Sequence, residues 1–159
     1  MRNSKRAICT ALSAITILLL AGASIFAQRA RTGAAPLTGA QPQPLFSEYK
    51  GIGLGMTADQ VRAKLGTPTV KANDQDYYEF SDIESAQFAY DKMLKVVTIS
   101  IDYSGAGAPD YRNVVGPSID ERDDGSLYKL VRYEAQRFWV SYCRSAGSPP
   151  IVTITIQKF

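Results

Sequence analysis

Apolar and polar residues alternate with a period of two along two stretches of the chain. Val97, Ile99, Ile101 and Tyr103 share one face of residues 95–103, with Thr98, Ser100 and Asp102 opposite. Val152, Ile154 and Ile156 alternate with Thr153 and Thr155 in residues 151–157. Alternation of this kind marks antiparallel strands with one buried side. Residues 77–81 place Tyr78 and Phe80 on one face, and residues 86–91 place Ala86, Phe88 and Tyr90 on one face. Residues 127–133 and 137–143 complete six expected strands, with short turns at 82–84 and 91–93. Between 57 and 66 the period becomes that of a helix. Ala58, Val61 and Leu65 fall on one side, Thr57 and Gln60 are spaced for a capping box, and Gly66 and Pro68 supply the stop.

The order of these features recurs. Shifting residues 61–91 onto 111–141 gives six identities in 31 pairs, among them Gly66 with Gly116, Tyr78 with Tyr128 and Phe88 with Phe138. Average usage gives about two by chance. A second short helix starts near Pro109 and ends at Gly116-Pro117, a polar loop follows at 120–126, and three strands close the chain. Residues 49–104 and 105–159 thus read as two copies of one unit, the competing reading being two similar hairpin meanders. The expected fold class is α+β: two tandem helix–β–β–β units that share one core in a two-layer, helix-on-antiparallel-sheet structure.

The N-terminus has a different character. Arg2, Lys5 and Arg6 precede 21 uncharged residues centred on Ile15–Leu20, and small residues follow at Ala21, Gly22 and Ala23. This is the pattern of a secretory signal over residues 1–27, cut after Ala23 or Ala27. An uncleaved inner-membrane anchor is the alternative. Residues 28–48, with Pro36, Pro42 and Pro44 and no apolar period, read as a flexible tether. The expected location is the periplasm or the extracellular space.

Charge and composition remove several classes of function. With Arg2, Lys5 and Arg6 set aside, 15 positive groups face 15 negative ones. Net neutrality gives no reason to expect nucleic acid as a partner, and membrane contact is expected only through an uncleaved N-terminal segment. The chain has no His, which excludes Ser-His, Cys-His and His-metal chemistry. Cys143 lies on a strand beside Arg144 with no base to activate it, so it reads as inert. The acidic loop 120–125 puts Arg122 where a calcium ligand belongs and Val131 where the closing Glu belongs, so it reads as a solvated turn. Phe159 shares its face with polar Gln157 and Thr155, unlike the last strand of a membrane barrel. No cofactor, metal site or catalytic residue is expected.

The run Gly55-Met56-Thr57, then Val61, Leu65-Gly66 and Pro68, followed by the aromatic strand Tyr77-Tyr78-Glu79-Phe80 and the apolar strand at 96–101, resembles the SmpA/OmlA (BamE-like) domain. Its best-known members help assemble outer-membrane barrels. Two such units in tandem are similar to the β-lactamase-inhibitory protein, which grips an enzyme with an aromatic-rich sheet surface. This chain lacks the lipid-bearing cysteine of the lipoprotein members. The resemblance implies a non-catalytic, exported module that binds another envelope protein as a scaffold or assembly accessory, or else an inhibitor of a secreted or periplasmic enzyme. From strand alternation, with Phe138 and Val140 inward, the expected protein-binding surface is Trp139, Tyr133 and Tyr77, flanked by Lys129 and Glu79. The competing reading has these aromatics covered by the chain itself.

Overall fold

The structure, a computed structural model, describes residues 43–159, which lie within one unit spanning residues 39–159. The expected signal segment 1–27 and most of the expected tether fall outside the described residues. The tether reading ends sooner than expected, since Phe46 already packs against the core.

The chain opens with a ribbon of two short strands, β1 (Glu48–Tyr49) and β2 (Ile52–Gly53). Lys50 and Gly51 between them both have positive φ, +48° and +74°, the twist that fits a two-residue hairpin turn. Helix α1 (Ala58–Leu65) follows, with the capping box in place: the Gln60 N–H donates to Thr57 Oγ1 and the Thr57 N–H donates to Gln60 Oε1. Gly66 then turns the chain out at φ +84°.

Eight strands form one antiparallel sheet. They are β3 (Val70–Lys71), β4 (Gln75–Ser81), β5 (Glu84–Tyr90), β6 (Val96–Ser104), β7 (Asp120–Glu121), β8 (Leu127–Tyr133), β9 (Phe138–Arg144) and β10 (Ile151–Lys158). Their spatial order is β3-β4-β5-β6-β10-β9-β8-β7, so the first four and last four strands meet along β6 and β10. Across that seam Ile101 stands opposite Ile154, and Ile99 opposite Ile156.

This corrects the expected α+β tandem arrangement. The fold is mostly β, and the helical cover is an eight-residue helix and the four-residue α2 (Arg112–Val115). Helix α2 has no side-chain cap, carries two β-branched valines, and is stopped at once by Gly116 and Pro117. Two edge strands, β3 and β7, were invisible to periodicity because two residues carry no period. The face toward the core buries Phe88, Ile99, Ile101, Val140, Ile154 and Ile156. What lies over it is a patchwork: Ala58 and Val61 of α1, Tyr49 and Ile52 of the ribbon, and Val114 and Val115 of α2.

Candidate functional site

The other side of the sheet is lined by the opposite set of side chains, and its strand register arranges them in three rows. One row runs Tyr77, Gln87, Ser100, Thr155, Ser141 and Leu130 across β4, β5, β6, β10, β9 and β8. A second runs Ala89, Thr98, Gln157, Trp139 and Arg132, and a third runs Glu79, Ser85, Asp102, Thr153, Cys143 and Tyr128. The middle strands therefore present hydroxyls and amides, while aromatic and apolar bulk sits on the two wings. In the middle, Thr153 Oγ1 donates to Asp102 Oδ1 at 2.6 Å across the seam.

The five residues expected to form the surface are distributed differently. Trp139 is on this outer face and half-buried, and Tyr77 and Glu79 are on it as well. They do not form one patch, because four inter-strand spacings, about 19 Å, separate β4 from β9. Tyr133 and Lys129 are corrections. Both belong to the covered face, since Tyr133 pairs with Phe138 and Lys129 with Tyr142 in the β8–β9 register. Tyr133 is 5 % exposed and its ring lies 5.2 Å from that of Phe138. The Lys129 ammonium escapes sideways and donates to Ser118 O at 2.7 Å and Ser118 Oγ at 3.1 Å. On the neighbouring strand Arg132 stands directly opposite Trp139, with Leu130 next along the same face and Tyr128 beyond it, opposite Cys143. Leu130 is 38 % exposed. The signal that could have found them is the pairing itself: once Trp139 faces out, its partner on β8 must too.

A cleft of about 380 Å³ indents one corner of this face. Tyr77, Glu79, Glu84 and Asp102 line it from the sheet, and Asp82 and Ile83 from the β4–β5 turn. Glu84 is committed to the fold. It accepts from Tyr49 Oη at 2.7 Å and pairs with Lys50, whose ammonium also lies 4.6 Å from the Phe80 ring centre. Burial, helped by Glu84, pushes the Tyr49 and Tyr103 hydroxyls above their ordinary values.

Cys143 is half-buried on the outer face, opposite Tyr128 and Thr153. Strand alternation sends Arg144 to the other face of the sheet, opposite Leu127 and Val152. The acidic loop forms a hairpin turn. Arg122 N–H donates to Ser126 O and Ser126 N–H to Asp124 Oδ1, and the Ser126 hydroxyl and N–H hold the Asp124 carboxyl below its ordinary value. Among the described residues no three metal-ligating side chains converge. No described helix is long and apolar enough to cross a membrane. No protein-family model, curated protein or solved structure matches this chain.

Proposed function

We propose that the chain is an exported, non-catalytic protein-binding module of the cell envelope, BamE-like in its mode of use, with the outer sheet face as its docking surface. One observation carries this reading. That face is left uncovered by helices and ribbon, yet it holds Trp139, Leu130 and Tyr128 on one wing and Tyr77 on the other, around a polar middle. Aromatic anchors beside adaptable polar groups are the composition that protein interfaces favour. The centre of the platform is rigid, because β5, β6, β10 and β9 are each hydrogen-bonded to a strand on both sides, and little ordering entropy opposes docking there.

Photo-crosslinking groups placed at Gln87 and Leu130 test this against groups at Ala63 and Lys64, exposed positions of α1 on the other side. Adducts to one envelope protein are expected from the first pair only, and Trp139→Ala is expected to abolish them with a melting temperature close to that of the parent. Adducts from α1 alone, or adducts indifferent to Trp139, overturn the reading. The inhibitor of a secreted or periplasmic enzyme is favoured by a separate observation, the β4–β5 turn, whose Ile83 is 47 % exposed at the rim of the same face. Under that reading Ile83→Asp removes inhibition of the target enzyme while leaving the fold intact.

A further inference from the structure

The turn between β5 and β6 is unusual for a hairpin tip. It is built around Asp91, whose Oδ1 accepts the N–H groups of Met93 at 2.8 Å and Lys95 at 2.9 Å. Leu94 N–H donates to Asp91 O, Asp91 N–H donates to Lys95 O, and Leu94 O accepts the Ala58 N–H at the start of α1. Seven of the ten backbone N–H and C=O groups of residues 91–95 are thus tied, and the turn's shape is fixed. Leu94 has φ +55°, a conformation that usually falls to Gly, Asn or Asp. Polar residues would satisfy this turn, yet Met93 stands 73 % exposed and Leu94 49 % exposed at its tip.

Cations collect around that tip. Lys92 and Lys95 flank it in sequence. Lys158, at the end of β10, is near enough that its charge and that of Lys95 add to the effect of the Lys95 and Met93 N–H groups in holding the Asp91 carboxyl below its ordinary value. Arg137, entering β9, shares with Lys158 the lip of a cleft that opens at this end of the sheet. None of these four cations is in an ion pair among the described residues. The acids at this end are Asp91 within the turn, Asp74, whose carbonyl accepts the neighbouring Tyr90 N–H, Asp59 at 3.7 Å from Arg62, and Glu134 at 2.8 Å from Arg132. Among the described side chains at this end, four cations in no ion pair thus stand against two acids in none, Asp91 and Asp74, which leaves a modest positive excess that the neutrality of residues 28–159 hides.

The geometry points to this end of the molecule as a contact for an anionic lipid surface, with Met93 and Leu94 entering the headgroup layer and Lys92, Lys95, Lys158 and Arg137 lying on it. Most of the turn's backbone donors and acceptors are already used, so what it chiefly offers a partner is apolar bulk and diffuse positive charge. A bilayer reads both, whereas a protein pocket gains its specificity from directional bonds, of which the turn presents few. Each cation held within the screening length of an anionic leaflet tightens attachment about fivefold. The strands rise from this end, so a chain resting on it keeps the outer face open to a protein partner. The inference does not depend on that partner.

The test uses the full chain carrying Met93→Trp, mixed with phosphatidylglycerol–phosphatidylcholine vesicles whose acyl chains are brominated. The introduced indole is expected to be quenched well beyond the parent chain, whose single Trp139 gives the background. The quenching is expected to vanish in pure phosphatidylcholine and in high salt. Lys92→Gln, Lys95→Gln and Lys158→Gln together are expected to weaken partition roughly a hundredfold. An indole that stays unquenched while the chain sediments with the vesicles overturns the proposal, because attachment then runs through another segment or the tip meets a protein. Quenching that survives loss of the three lysines overturns it as well.

Discussion

Asp76 is a carboxylate with no solvent access. Its Oδ2 accepts from Arg62 Nε at 2.8 Å and from Tyr90 Oη at 2.7 Å, and its Oδ1 accepts from the Arg62 guanidinium at 3.1 Å. Removing one partner of such a group strands the others, so Asp76→Ala is expected to cost about 3 kcal/mol, read as a fall in the urea midpoint at unchanged slope. Tyrosine protonation gives a second expectation. The hydroxyls of Tyr49, Tyr78, Tyr90, Tyr103 and Tyr142 are all raised above 10.0, chiefly by burial. A raised folded-state value means the fold holds protons that the unfolded chain releases. This contribution is whole below pH 10 and drains away above it. Urea midpoints are expected to hold from neutral pH to about pH 9 and to drop by about pH 11, with a step in tyrosinate absorbance at unfolding as these five hydroxyls are released. Single residues also show where sequence reading fails. In β8 both alternating sets are apolar enough to be the inner one, and Lys129 in the true inner set suggested the opposite choice. A lysine can occupy a covered position because its long stem carries the charge out, here to Ser118.

At the scale of elements, legibility followed length. The helix α1 and the strands β6 and β10 were plain in the sequence, since each carries several turns or several alternations. The ribbon β1–β2 and the edge strands β3 and β7 were not, because two-residue strands exist only through what they pair with. The outer face was half-legible: the parity of Trp139, Tyr77 and Glu79 came from alternation within one strand, whereas the company they keep depends on registers between strands. The α1 cap is an element-level device that can be tested alone. Thr57→Ala removes the acceptor for the Gln60 N–H and is expected to cost about 1 kcal/mol, seen as a lowered melting temperature. At the sheet edge, the hydroxyl of Thr69 accepts the Glu79 N–H at 3.0 Å, so a side chain closes a position that the two residues of β3 do not reach.

For the whole molecule the decisive feature is the β6–β10 pairing, where residues about fifty positions apart join the two four-strand blocks. Ile154 is fully buried at the middle of that seam, and Ile154→Ala is expected to cost roughly 3–4 kcal/mol. Because β10 bonds to both β6 and β9, the blocks are expected to melt together. Trp139 fluorescence and far-ultraviolet circular dichroism should trace one coincident transition in the parent and in the variant. Two separated transitions would mean that each block stands alone.

The same placement has a consequence for synthesis. The strand in the middle of the sheet is the one made after all its neighbours, so the first block must wait with β6 as an open edge until Ile151–Lys158 has been translated. Native closure cannot run ahead of elongation, and a nascent chain with this topology stays threadable for as long as β10 is still to come.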